Sequence, residues 1–324
     1  MKNYINPISN IDNIGDPFVL KYNKKYYLYA TSMPERGFKV WESLNLVEWE
    51  LKGISLDSKS ELNKWGIGDF WAPEVIYYEE KFYMVYSARD IDQHLKIALA
   101  VSENPLGPFK NIKAPLFESD LSFIDAHLFI DEDCTPYLYF VRDCSENIIN
   151  NVHISEIYVQ KMSKNLSYLI GSPMLVLKPD QSWEGIDKDW QWNEGPFVVK
   201  REGIYYLMYS ANFYASSRYG IGYATSKNPL GPWIKFKNNP ILQTDLSKGV
   251  SGPGHNSITS SLDDTETFIV YHTHKNPDSP SGNRVLNIDR IYFEKGRIRI
   301  IGPTRSPQPF PSGNCFVFER KEHL

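Results

Sequence analysis

The chain has 324 residues, of which 42% are hydrophobic, 23% charged and 14% aromatic. This allows one large domain or two ordinary ones and excludes disorder for most of its length. With 35 Lys and Arg against 39 Asp and Glu, the net charge is −4, and no block of like charge offers a surface to nucleic acid or an anionic membrane.

Met1 to Asn6 lacks the apolar core of a signal peptide, and no run approaches the roughly 18 apolar residues of a spanning helix, so the expected location is the cytoplasm. Cys134, Cys144 and Cys315 are odd in number and have no CxxC spacing. They read as free thiols in a reducing compartment.

The aromatic residues fall in short alternating runs bounded by Gly, Pro, Asn and Asp, the pattern of strands and turns. Asp16 to Tyr22 passes through a polar turn into Tyr26 to Ser32, and Ala72 to Tyr78 passes likewise into Phe82 to Ser87. The same hairpin recurs as Asp125 to Ile130 with Tyr137 to Val141, Glu194 to Lys200 with Tyr205 to Ser210, and His255 to Ser260 with Thr267 to His272. A second half repeats too. Leu99 to Ser102 precedes Asn104-Pro105-Leu106-Gly107-Pro108-Phe109, and Tyr223 to Ser226 precedes Asn228-Pro229-Leu230-Gly231-Pro232-Trp233.

Five units of about four strands predict an all-β fold, a five-bladed β-propeller with four-stranded antiparallel blades around a central channel. A pair of two-sheet sandwiches gives no reason to repeat one hairpin signature at blade-sized spacing. The first blade fits within residues 16 to 52 and the last within 255 to 302, so closure is expected from packing between blades, with no strand exchanged between the termini. Residues 1–303 form a single propeller domain in this reading. Residues 304–324, Pro-rich and then carrying Phe316-Val317-Phe318, form a tail packed on it.

In a propeller the innermost strands line the channel, so equivalent strand starts form a ring at one mouth. Here the ring reads Asp16, Ala72 or Glu74, Asp125, Glu194 and His255. One such carboxylate alone is ordinarily a turn residue accepting backbone N–H groups. Several converging in a partly dewatered mouth raise at least one pKa and yield a protonated acid beside an ionised base, the pair that glycoside hydrolysis needs. Trp65, Phe70, Trp71, Trp183, Trp190, Trp192 and Phe213 are expected on the same side, where sugar rings stack on aromatic faces. Trp71, just before the channel-facing Ala72-Pro73, is the favoured contact. His255 has three readings: a metal ligand, a sugar contact or a hydrogen-bonded core histidine.

Gly15-Asp16-Pro17, Phe70-Trp71-Ala72-Pro73-Glu74, Ile124-Asp125, Asn193-Glu194-Gly195-Pro196 and Gly254-His255-Asn256-Ser257, in this order, resemble glycoside hydrolase family 43 over about residues 6 to 302. The resemblance implies a five-bladed propeller that hydrolyses arabinofuranosides, xylosides and related polysaccharides with inversion. It casts Asp16 as the general base, Glu194 as the general acid and Asp125 as the residue that orients and tunes the acid. It also implies a calcium or its waters at His255, with no cofactor required for turnover, and an active-site arginine at Arg284, with Arg290 a competing alignment. Asp125-Ala126-His127 departs from the family's usual pattern and leaves His127 either at the substrate or packed beneath Asp125.

The implied activity is an inverting α-L-arabinofuranosidase acting on arabinose-containing oligosaccharides. A β-D-xylosidase or arabinanase is the alternative within the family, and a non-catalytic carbohydrate-binding propeller is the alternative from another class. The partner is an arabinose- or xylose-containing oligosaccharide, with neither nucleic acid nor membrane.

Overall fold

The computed structural model describes residues 2–313. The strands pair into five four-stranded antiparallel sheets, whose innermost strands are Gly15–Tyr22, Gly68–Tyr78, Phe123–Ile130, Asn193–Arg201 and Gly254–Ser260. Each innermost strand contacts the next around a closed cycle, the fifth returning to the first. The molecule is thus the five-bladed propeller that the repeat predicts. Two 3₁₀ turns, Ser182–Glu184 and Leu246–Lys248, are the helical pieces among the described residues.

The first hairpin of a blade turns through residues with positive φ, such as Asn23 and Lys24 or Glu202 and Gly203. Left-handed pairs of this kind match the twist of the flanking strands. Alternation then sends every second aromatic side chain into the space between blades. Tyr29, Phe38, Phe70, Tyr86 and Phe109 are fully buried in one cluster, each contributing about 1.5–3 kcal/mol by burial. The two Asn-Pro-Leu-Gly-Pro loops are ties between blades: the Tyr29 hydroxyl donates to Pro105 O and the Tyr139 hydroxyl to Pro229 O.

The third blade carries an insertion between its second strand (Pro136–Arg142) and its third (Glu156–Met162). Strands Ile148–Ile149 and Val152–Ile154 form a hairpin there, and Trp190–Gln191 adds to it in parallel, aligning His153 with Trp190.

The N-terminal segment runs beside the third strand of the last blade, Arg284–Glu294. Asn6 exchanges hydrogen bonds with Ile288, and Ile8 N donates to Leu286 O. Asn3–Tyr4 pairs with Gln308–Pro309 in a separate two-stranded sheet. Every blade takes its four strands from one stretch of chain, so neither terminus supplies a strand to the other's sheet. Cys134 is exposed and Cys144 buried, both free. Cys315 and Phe316 to Phe318 lie outside the described residues.

Candidate active site

All five innermost strands carry the same bulge. Gly15 and Phe18, Trp71 and Glu74, Ile124 and His127, Glu194 and Phe197, and Gly254 and Ser257 are each three residues apart, facing partners two apart on the second strand. A bulge of this kind re-aims side chains at the rim of a sheet. The residue after each bulge start, Asp16, Ala72, Asp125, Gly195 or His255, has a φ between 46° and 57°. For the non-glycine members this left-handed conformation stores strain at the mouth.

The five bulges set three tiers. In the uppermost, Trp71, Ile124 and Glu194 line the cavity. The first and fifth blades have glycine there. A Cβ on Gly15 would lie 2.0 Å from the Arg284 guanidinium and one on Gly254 would lie 1.9 Å from the Tyr219 ring, so the missing side chains admit Arg284 and Tyr219. The middle tier supplies Asp16, Asp125 and His255. The third is Phe18, Glu74, His127, Phe197 and Ser257. There His127 Nδ1 bonds Glu74 Oε2 (2.7 Å) and Val198 N donates to His127 Nε2 (3.0 Å). Ala72, not Glu74, thus shares the register of Asp16, and His127 packs beneath Asp125 with both nitrogens bonded, outside the lining of the cavity.

The middle-tier N–H groups are held in turn by the preceding blade. Ala72 N donates to Thr31 Oγ1, Asp125 N to Ser87 Oγ, His255 N to Ser210 Oγ and Asp16 N to His272 Nδ1. These four acceptors occupy one position at the end of the second strands, each opposite its bulge start. In the third blade that position is Val141, which has no acceptor. Gly195 N donates instead to Asp125 Oδ2 at 3.0 Å. The break in the repeat therefore fastens Asp125 to the residue beside Glu194.

The resulting cavity has a volume of about 530 Å³ and contains Asp16, Asp125, Glu194, Trp71, His255 and Arg284 in its wall. Burial disfavours the Asp16 charge, but Arg284 Nη1 at 3.0 Å, His255 Nδ1 at 3.2 Å and the Thr31 hydroxyl at 2.6 Å outweigh it. Its carboxyl is held well below the ordinary range. Burial raises Asp125 to about 6, with His255 opposing and Asp16 adding. Burial and the neighbouring Asp125 push Glu194 well above the ordinary range, against the Tyr219 hydroxyl, which donates to Oε1 at 2.8 Å. The two environments separate the carboxyls, favouring an ionised Asp16 beside a protonated Glu194.

Arg284 enters the site. Arg290 instead bonds Glu266 and Pro309 O outside the cavity. Trp71, Trp192 and Phe213 line the cavity, whereas Phe70 is buried between blades, Trp65 packs on the same cluster, and Trp183 packs on the cluster that includes Tyr139 and Tyr209. Those last three were expected at the mouth and serve packing. Calcium takes six to eight oxygen ligands. Among the described residues no group of three or more His, Cys, Asp or Glu could hold a metal ion, and His255 turns Nδ1 towards Asp16. A calcium at His255 would therefore take most of its ligands from water rather than from the protein. Thr31, Ser87, Ser210, His272 and Tyr219 were not singled out from sequence as site residues.

Residues 4–298 match the sequence model of glycosyl hydrolases family 43. The chain is 28% identical to the beta-D-galactofuranosidase xynD of Aspergillus niger, over 88% of this chain and 81% of that protein. It is 27% identical to alpha-L-arabinofuranosidase 43 of Humicola insolens, over 92% of this chain and 60% of that protein. An extracellular exo-alpha-(1->5)-L-arabinofuranosidase of Streptomyces avermitilis is 26% identical, with 61% of its length covered. The chain thus spans about three fifths of the latter two relatives. Among solved structures, a thermostable family-43 glycoside hydrolase has a TM-score of 0.95 at 66% identity, covering 96% of this chain and all of that one. An endo-1,4-beta-xylanase of Bacteroides thetaiotaomicron has a TM-score of 0.79 at 36% identity, covering 92% and 98%. With the family match spanning nearly the whole propeller and the three carboxyls of its cavity, the chain belongs to glycoside hydrolase family 43 and is a glycosidase.

Proposed function

We propose that the protein is an inverting, exo-acting α-L-arabinofuranosidase that removes terminal arabinofuranosyl residues from arabinose-containing oligosaccharides. The observation that carries this reading is the pair of opposed carboxyls in one cavity, Asp16 kept ionised by Arg284 and Glu194 kept protonated by burial beside Asp125.

Asp16 takes a proton from water as that water attacks the anomeric carbon, and Glu194 gives its proton to the departing glycosidic oxygen. The sugar leaves with inverted configuration, which requires the two carboxyls roughly 6.5–9.5 Å apart so that water fits between. Asp125, bonded to Gly195 N, positions the acid and sustains its proton. Names among the relatives support the sugar: two are arabinofuranosidases. A β-D-xylosidase is the second reading, favoured by the Bacillus subtilis relative, a beta-xylosidase at 25% identity. The cytoplasmic location expected from the sequence has no support among these relatives, since the Streptomyces protein is named extracellular.

The test compares kcat/KM on p-nitrophenyl α-L-arabinofuranoside, β-D-xyloside and β-D-galactofuranoside. A preference for the first is expected, and a preference for the xyloside would install the alternative. Glu194→Gln should cut turnover roughly 10²–10⁴-fold on a natural disaccharide and much less on an activated aryl glycoside, whose leaving group needs little protonation. Equal losses on both would remove Glu194 from the acid's role.

A further inference from the structure

A row of aromatic rings leads from the base over the rim of the cavity. The Arg284 guanidinium, which holds Asp16, lies 4.8 Å over Tyr214. Tyr214 is 4.7 Å from Phe213, Phe213 is 5.6 Å from Trp192, and Trp192 is 6.1 Å from Trp190 with the rings nearly parallel. Trp190 stacks on His153 at 3.8 Å and 7°. Tyr214, Phe213 and Trp192 line the cavity, whereas Trp190 lies beyond it, paired with the insertion of the third blade.

Packing does not account for the row. Trp190 is 42% exposed, Phe213 44% and Tyr214 37%, whereas rings between blades such as Phe38, Phe70 and Tyr86 are fully buried. The row also has a direction. Trp190, Trp192 and Glu194 alternate along one stretch of chain, which sends their side chains to the same side. Glu194 stands where the leaving oxygen departs, so the rings beside it lie on the leaving-group side of the scissile bond. The outer ring is fixed before anything binds, because the insertion aligns His153 with Trp190 and His153 Nδ1 is bonded to Cys144 O. A preorganised ring loses little freedom on binding.

We propose that this row is a platform for the leaving-group part of an oligosaccharide, with Trp192 under the first sugar beyond the scissile bond and Trp190 under the second. This rests on the glycosidase reading and adds to it a preference for chains of at least three sugars, in which the C–H faces of successive units lie on successive rings.

The test measures binding by titration calorimetry in the Glu194→Gln background, where turnover is suppressed, with α-1,5-arabinotriose, β-1,4-xylotriose and the two monosaccharides as probes. At least one trisaccharide is expected to bind about tenfold more tightly than its monosaccharide. Adding Trp190→Ala should reduce that ratio about three- to tenfold, with Trp190→Phe restoring most of it. Phe213→Ala provides a second variant should Trp190→Ala not fold. A ratio near one before substitution, or one indifferent to residue 190 and residue 213, overturns the platform. So does an unchanged ratio accompanied by a dimer that Trp190→Ala dissociates, which would make the row a contact between copies. Aryl-pentoside hydrolysis by the unmodified enzyme is read separately. If it is absent while the ratio still depends on Trp190, the platform stands and the proposed arabinofuranosidase or xylosidase activity falls. If it is present and the ratio ignores Trp190, the reverse holds.

Discussion

Asp16 and Glu194 line one cavity, and their neighbours separate them. The proposed mechanism requires Asp16 ionised and Glu194 protonated, so kcat/KM should fall at the acid end with Asp16 and at the alkaline end with Glu194. Because Asp16 is depressed and Glu194 raised, the active range should extend beyond that of two ordinary carboxyls at both ends. Asp125→Asn removes a negative neighbour from Glu194 and should move the alkaline limb to lower pH. Tyr219→Phe removes the donor that favours the ionised form and should move it to higher pH. Limbs moving together would contradict this assignment. Arg284→Met removes the nearest cation from Asp16 and should raise the acid limb. Gly15→Ala should do the same without touching a charge, because its Cβ would occupy the guanidinium's place. A pH–rate profile for each variant decides these shifts.

The five bulges explain why so much of this site can be read from sequence and where the reading stops. Asp16, Asp125 and His255 occupy one register, so aligning the hairpins brings them together. Glu194 lies one residue earlier, at the position of Trp71 and Ile124, and alignment to within a residue captured it without showing that it belongs to a different tier. Thr31, Ser87, Ser210 and His272 end their aromatic strands in plain view. Their purpose depends on an N–H group from the next blade, which no local pattern contains. Tyr219 carries no signal, since it reaches Glu194 through the space left by Gly254. His127 and Glu74 are in the tier below because the bulge shifts by one the side on which following residues face. Val141→Thr tests the interrupted staple. It keeps the volume and supplies the acceptor that the other blades have, so the Gly195 N–H gains a competitor to Asp125. A hydrogen bond to a charged group is worth about 1.5–3 kcal/mol, so kcat should fall by roughly tenfold or more and the alkaline limb should shift. A merely structural role for Val141 would change thermal stability and leave the pH profile in place.

The propeller makes this chemistry possible by bringing strand starts from positions 15 to 254 to one mouth. Its five-fold repeat was evident in the hairpins and the Asn-Pro-Leu-Gly-Pro loops, because a blade is a local unit and closure asks only that neighbouring blades pack. The seam was less evident. Asn3–Tyr4 meets Gln308–Pro309, and Asn6 meets Ile288, pairings between residues some 280 or more positions apart with no periodic signature. The insertion of the third blade was equally hidden, since its strands of two and three residues are too short to show alternation. In the proposed reaction, water activated by Asp16 attacks from the face opposite the bond that Glu194 protonates. Proton NMR of the sugar first released from an α-L-arabinofuranoside tests it most directly. The β-anomer should appear first and convert to the equilibrium mixture, and Asp16→Asn should abolish the signal. First appearance of the α-anomer would mean retention and would contradict the assignment of Asp16 as the base.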